Sequence, residues 1–352
     1  MARAGRRGTR AVSTVAVADW DGGALTGRRR RRWLIAAAVV AMAGAALLAW
    51  GFGPWWRAGF VEHPMPSASD IPTAVAVGPD GTVWFTIEFS DAIGRLRNGK
   101  IEMHPKGKLN VEPMGLAVAA DGAAWYTDSP ARSISRITPD GSITSFPLTS
   151  NPIAKLNRLA LGPDGAVWFA DSTALSVTRL RDGVFTPHVL QSFRPNPYGV
   201  AVDARGTVWA TLQGAGKLAR ITPDGEVTEI DIPTRASGPS DIAVDGSGAV
   251  WFLEFRTNKV GRYADGRFTE FPVPTAKAAL TGLAVAPDGS VWFGELRVPA
   301  LGRLHAGVFT EFKLPRADAR PFSIAVDGAG NVWYTDLHGW LGRLPAERAR
   351  AR

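Results

Sequence analysis

The chain has 352 residues, 45% of them hydrophobic and 20% charged, which is enough for a large globular domain and too apolar for bulk disorder. Cysteine is absent, which excludes a disulfide framework, a thiolate metal site, a cysteine nucleophile and thiol redox chemistry. The formal charge of +8 is local: residues 1–58 hold ten Arg against Asp19 and Asp21, leaving 30 basic and 30 acidic residues beyond them, so no nucleic-acid partner is expected.

In chain order, residues 1–32 are rich in Arg, Ala and Gly without an apolar period and read as a disordered basic tail. The run Arg28 to Arg32 abuts residues 33–53, an uncharged stretch as long as a helix that crosses a bilayer, so a transmembrane signal anchor is expected there. Nine Arg precede it and Arg57 follows, which by the positive-inside rule puts the tail in the cytoplasm and everything beyond the 54–58 linker outside. The small-x-small triplet Ala41-Met42-Ala43 marks the alternative, a cleaved signal and a secreted protein. Both readings are extracytoplasmic, and the first makes the membrane a partner.

From residue 59 onward the sequence repeats. A Trp recurs at 84, 125, 168, 209, 251, 292 and 333, with spacings of 41, 43, 41, 42, 41 and 41 residues. Around each Trp lie an apolar run, an Asp-Gly or similar turn, a Val-Trp-Phe-Thr-like strand, an Ile-Gly-Arg-Leu-like strand and a Thr-Glu-Phe-Pro-like strand. Such a unit is a four-stranded antiparallel meander, and seven of them predict an all-β, seven-bladed β-propeller over 59–344, with 345–352 as a basic C-terminal tail. The seventh unit stops after Leu341-Gly-Arg-Leu344 without its last strand, and Gly59-Phe-Val-Glu-His-Pro64 supplies the matching piece. That segment is expected to close the ring as the outer strand of the last blade, which removes an open edge.

Features shared by all units read as structure. The seven Trp fit an inter-blade core better than a sugar platform. Arg95, Arg136, Arg179, Arg220, Arg262, Arg303 and Arg343, ten or eleven residues after their Trp, suit charged hydrogen bonds to a carboxylate or turn carbonyl, an anion-binding ring being the alternative. Asp80, Asp121, Asp164 and Asp288 lack the spaced acids of a calcium loop and read as turn residues.

Function is expected where the units differ, at the mouth of the central channel. Eleven residues before each Trp, at the start of the innermost strand, stand Thr73, Met114, Asn157, Tyr198, Ser240, Thr281 and Phe322, an irregular set assigned to ligand or substrate binding. Three residues after each Trp stand Ile87, Asp128, Asp171, Leu212, Glu254, Glu295 and Asp336, with Glu88 one place later in the first unit. These acids either ring a cation, for which Glu88, Glu112 and Asp128 are the candidate ligands, or pair with Arg of adjacent blades. His63, His104 and His188 fall in outer strands, His305 falls in a turn, and only His338 approaches the rim. No nucleophile elbow, phosphate loop or histidine pair at metal spacing is present, so no catalytic residue is assigned.

The segments Gly78-Pro-Asp-Gly-Thr-Val-Trp-Phe-Thr86, Ile93-Gly-Arg-Leu96, Ile221-Thr-Pro-Asp-Gly-Glu-Val-Thr-Glu229 and Thr269-Glu-Phe-Pro-Val-Pro-Thr275 resemble the streptogramin B lyases, also called virginiamycin B lyases, over residues 59–344. The resemblance implies a seven-bladed propeller that opens a cyclic depsipeptide antibiotic at its ester by elimination, with magnesium assistance. It also implies a Glu-Pro-His-Gly motif, its His the general base and its Glu toward the metal, and a second Glu after a Trp-Phe pair. Here Glu112-Pro113-Met114-Gly115 keeps the Glu and carries Met at the base position, and Met cannot accept a proton. Tyr198 is the one titratable residue among the seven strand starts, and Glu88 matches the second Glu from the blade next to Glu112. Three functions follow as expectations: a channel-mouth binder of a small molecule, peptide or glycan in a lyase-like frame; a metal-dependent lactone or ester hydrolase; and a cell-envelope interaction scaffold.

Overall fold

A computed structural model describes residues 59–107, 113–149 and 154–350. The expected transmembrane segment 33–53, its flanks and Glu112 lie outside the described residues. No helix among the described residues is long and apolar enough to cross a membrane.

Seven four-stranded antiparallel sheets follow one another around a central axis. Blades 1 to 6 begin at residues 71, 116, 156, 197, 239 and 280, each running from an innermost to an outermost strand without crossovers. The seventh takes Pro321–Val326, Val332–Asp336 and Trp340–Leu344 from the end of the chain, and its outer strand is Val61–Pro64. Val61 pairs with Arg343 and Pro64 with Trp340, so the N-terminal strand closes the ring as its sequence pattern requires. The C-terminal segment, expected as a tail, instead carries the helix Ala346–Arg350, whose Ala349 is buried against Trp292 and Val332.

The strand-forming residues explain the repeat. In every blade the Trp lies directly opposite the repeated Arg across the second hairpin, as in Trp84 with Arg95 and Trp292 with Arg303, which accounts for their fixed spacing. Six of the seven guanidinium groups stack on their own Trp ring at 5.4 to 6.0 Å, a cation–π contact that composition did not announce. The Gly of the third strand has an equally local cause. A β-carbon on Gly94, Gly261, Gly302 or Gly342 would lie 2.0 to 2.2 Å from the nearest ring atom of Phe85, Phe252, Phe293 or Tyr334, all fully buried. Gly302→Ala is therefore expected to cost about 1–3 kcal/mol through overpacking, read as a lower melting temperature. The cost should shrink in a Phe293→Leu background, and an equal cost in both backgrounds would remove the ring as its cause.

Threonines stitch the blades together. Thr86 accepts the Ala74 amide at 2.9 Å and donates to the Pro113 carbonyl of the next blade at 2.7 Å. Thr335 does the same across the closure, accepting from Ser323 and donating to the Thr73 carbonyl at 2.7 Å. The first hairpin of six blades contains a register irregularity at the start of its innermost strand. Such bulges re-aim side chains, and here they fall at the channel mouth.

Candidate functional site

The irregularity leaves two residues out of register in five blades and one, Gly282, in the sixth of those hairpins. Five of the predicted mouth residues, Thr73, Met114, Asn157, Tyr198 and Phe322, line one cavity of about 310 Å³ together with Glu88. Lys155, Asn196, Gln213 and Leu337 complete its wall. Ser240 and Thr281 are not part of that wall: both are buried, Ser240 giving its carbonyl to Thr211 and Thr281 donating to the Pro321 carbonyl at 2.8 Å. Asn157 shares this stitching, donating to Pro197 O at 2.8 Å and Ser172 Oγ at 2.7 Å, which fixes its amide orientation at the mouth. Asn196 Nδ2 donates to Gln213 Oε1 at 3.0 Å, so the two amides form one polar wall.

Beneath the mouth, one residue further along each innermost strand, stand Ala74, Gly115, Arg158, Gly199, Asp241, Gly282 and Ser323. The five small residues leave room in the channel for the two charged ones. Arg158 Nε and Nη2 reach Asp241 Oδ1 and Oδ2 at 2.6 and 3.0 Å, a bidentate pair joining blades 3 and 5. Nη1 donates to the Met114 carbonyl of blade 2 at 2.9 Å, and the guanidinium carbon lies 5.9 Å from the rings of both Tyr198 and Phe322. Asp241 Oδ2 also accepts the Gly282 amide at 2.9 Å. Burial opposes the cation, and the Asp241 charge more than offsets it, holding the Arg158 pKa above its ordinary value. This pair forms the floor of the mouth and was missed in the sequence. Its signal was available as two opposite charges in a ring of otherwise small residues.

None of the acids three residues after each Trp lines the mouth cavity, and two of them, Asp128 and Asp336, pair with a cation from the preceding blade. Asp128 is held by Lys106 of the preceding blade at 2.7 Å, with side chains 6% and 2% exposed. Asp336 is clasped by Arg316 and accepts amides of Arg320 and His338. Asp171 caps its own turn through the Thr173 and Ala174 amides. Glu254 and Glu295 form no ion pair among the described residues, and burial, reinforced by Glu270 and Glu311 respectively and offset in part by Lys259 at Glu254, raises each carboxyl to about 7. The expected Arg partners are thus realised at Asp336, replaced by Lys at Asp128 and, among the described residues, not formed at the other three. Asp128 is thus paired with Lys106 and does not line the mouth cavity with Glu88. No group of three His, Asp or Glu among the described residues is placed to hold a metal ion. The cavity brings one described carboxylate, Glu88, together with Lys155, and Glu112 lies outside the described residues.

Of the histidines, His63, His104 and His188 do lie in outer strands, the last two against Trp84 and Trp168. His305 ends a third strand, one residue earlier than the turn expected, and contacts Ser290 Oγ at 3.1 Å. His338 lies on the rim 3.6 Å from Asp318 and outside the mouth cavity.

These features define a closed seven-bladed β-propeller with a cavity at one end of its channel and a charged pair across the channel below it. The chain belongs to the virginiamycin B lyase family, whose model matches residues 57–155 and 150–349. A virginiamycin B lyase of Nocardia farcinica is 36% identical over 194 residues, 54% of this chain, and the chain spans 65% of that relative's length. A catalytically inactive virginiamycin B lyase from Staphylococcus aureus, crystallised with quinupristin, superposes with a TM-score of 0.77 at 28% identity, covering 81% of this chain and 98% of that one. A streptogramin B lyase structure gives the same TM-score at 26% identity, covering 81% and 96%.

Proposed function

We propose that this protein is a ligand-binding member of its family, acting outside the cytoplasm from a membrane anchor at residues 33–53, with the channel mouth as its binding site. The observation that carries the reading is the cavity itself. Its volume of about 310 Å³ is at the small-molecule end of binding sites, and Glu88, Lys155, the Asn196–Gln213 amides, Met114 and Phe322 give it charge, hydrogen bonding and apolar surface on separate walls. A compact small molecule or the side chain of a peptide or glycan suits it. With Met114 where the family motif carries its base, and without a divalent-ion donor set among the described residues, elimination on a cyclic ester has no proton acceptor of the family kind.

The test is incubation of the purified protein with a streptogramin B depsipeptide, followed by mass spectrometry for ring opening and by tryptophan fluorescence for binding. The expected result is binding without ring opening, weakened at least tenfold by Tyr198→Ala, which removes a mouth wall worth more than about 1.4 kcal/mol of contact. Addition of magnesium is expected to leave the melting temperature unchanged. Ring opening by the wild-type protein that disappears in Glu112→Ala would replace this reading with a lyase.

A further inference from the structure

At the end of the channel opposite the mouth, where the turns between first and second strands lie, the blade-to-blade grooves differ. Each groove is built from the Trp and repeated Arg of one blade and the turn of the next. At blades 1, 2, 3 and 6 the Arg meets a carboxylate of its own blade: Glu102, Asp121, Asp164 and Asp288. Two of these Arg also grip a carbonyl offered from beyond their blade, Arg95 that of Pro139 and Arg303 that of Ala349 at 3.0 Å. The second case is instructive, because Ala349 belongs to the C-terminal helix, which fills the groove between blades 6 and 7. The groove is thus a receptor for acceptor oxygens, and the chain supplies its own plug at that seam.

Between blades 4 and 5 the plug is missing. The groove there is a cavity of about 750 Å³ lined by Arg205, Arg220 and Arg262, with Trp209 and Tyr263 as an aromatic wall. No carboxylate among the described residues forms an ion pair with Arg220 or Arg262, and Arg205 has only Asp203 at 3.7 Å. The turn acid that could have neutralised the site is diverted: Asp245 accepts the Trp251 indole N–H at 2.8 Å and its own turn amides. Trp209 is 7% exposed, and its indole N–H is buried without an acceptor. Asp265 lines the same cavity on an exposed hairpin turn, and Asp203 beside Arg205 and Asp224 near Arg220 offset part of the positive charge, leaving the Arg220 and Arg262 guanidinium groups without an ion-pair partner among the described residues.

We propose that the groove between blades 4 and 5 is a binding site for a phosphate group, free or carried as a monoester. Arg presents planar pairs of donors that match tetrahedral oxyanions, two guanidinium groups from adjacent blades converge on the cavity, and the Trp209–Tyr263 wall at 5.6 Å between rings offers a stacking face to the ester's organic part. The site is separate from the mouth and stands whether or not the mouth binds a ligand.

The experiment titrates the full-length protein with inorganic phosphate, glucose 6-phosphate and, at matched ionic strength, acetate and chloride, reading both melting temperature and calorimetric affinity. Phosphate is expected to raise the melting temperature saturably by about 2–4 °C, with acetate and chloride far less effective. The Arg220→Gln/Arg262→Gln variant should lose that rise. Arg205→Gln changes a side chain that is 82% exposed, so it retains the fold, and it should weaken phosphate binding about three- to tenfold. Tighter binding of glucose 6-phosphate than of phosphate assigns the ester, and equal binding assigns the free ion. Equal responses to all anions, or affinities unchanged in both Arg variants, would overturn the proposal.

Discussion

Asp241→Ala is expected to destabilise the protein by about 3–5 kcal/mol, the largest effect of any single polar substitution here. The side chains of Arg158 and Asp241 are 12% and 11% exposed, so removing the carboxylate strands a guanidinium in the channel with one carbonyl and two ring faces for company. Removing the cation as well should recover most of the loss: Arg158→Met with Asp241→Leu replaces the pair by apolar side chains of comparable reach, which buried ion pairs commonly tolerate. Denaturant titration of the two single variants and the double variant measures the coupling directly. If Asp241→Ala costs less than about 1 kcal/mol, water reaches the channel floor and the pair is a surface contact in energetic terms. The same series reports on the mouth, since Arg158 carries the Met114 carbonyl and backs Tyr198 and Phe322.

The second large effect is one of pH. Glu254 and Glu295 are buried, each with one carboxyl oxygen that has no partner, and burial lifts both to about 7 from an ordinary 4.5. Below the unfolded value, folded and unfolded states both hold these protons, and the folded state suffers no penalty. As pH climbs through about 7 the folded carboxyls must ionise in their seams or stay protonated against the solvent, and stability falls. Glu295→Gln and Glu254→Gln should therefore each stabilise the protein by about 2 kcal/mol at pH 8 and leave it nearly unchanged at pH 4.5. Together they should raise the pH 8 melting temperature by roughly 4–8 °C and flatten the profile between pH 4.5 and 7.5. Gln variants whose stability at pH 8 equals that of the wild-type protein would show that these carboxyls ionise in the folded state without penalty.

The blade count, the closing strand and the turns were legible because each unit repeats one physical problem: a hairpin that places Trp opposite Arg, and a Gly that admits an aromatic ring. The mouth was partly legible. Thr73, Met114, Asn157, Tyr198 and Phe322 do share one cavity, because position along a strand of known pitch fixes which end of the channel a residue occupies. Ser240 and Thr281 stand at the same position but are buried outside that cavity, Thr281 bonding the next blade through its hydroxyl and Ser240 through its carbonyl, and strand position alone does not distinguish a side chain that lines the cavity from one buried beside it. The acids show the same limit. Whether Asp128 meets Lys106 depends on a residue at the end of another blade's outer strand, a contact across a seam whose register no repeat pattern encodes. Arg158 and Asp241 stand 83 residues apart and meet only because the ring closes.

Ring closure also sets an order of events during synthesis. Glu62, in the strand that completes blade 7, accepts from the Tyr334 hydroxyl at 2.7 Å across 272 residues of chain and from Arg316 Nε at 3.2 Å. Of the propeller's strands this one is made first and finds its partners last, after every other blade has been made. Until then blade 7 lacks its outer strand and the first-made segment has no sheet to join, so a nascent chain with six complete blades still exposes an unpaired edge. Contacts of such sequence separation make folding slow relative to local hairpins, and the first and last strands of the propeller act as the latch whose engagement marks completion.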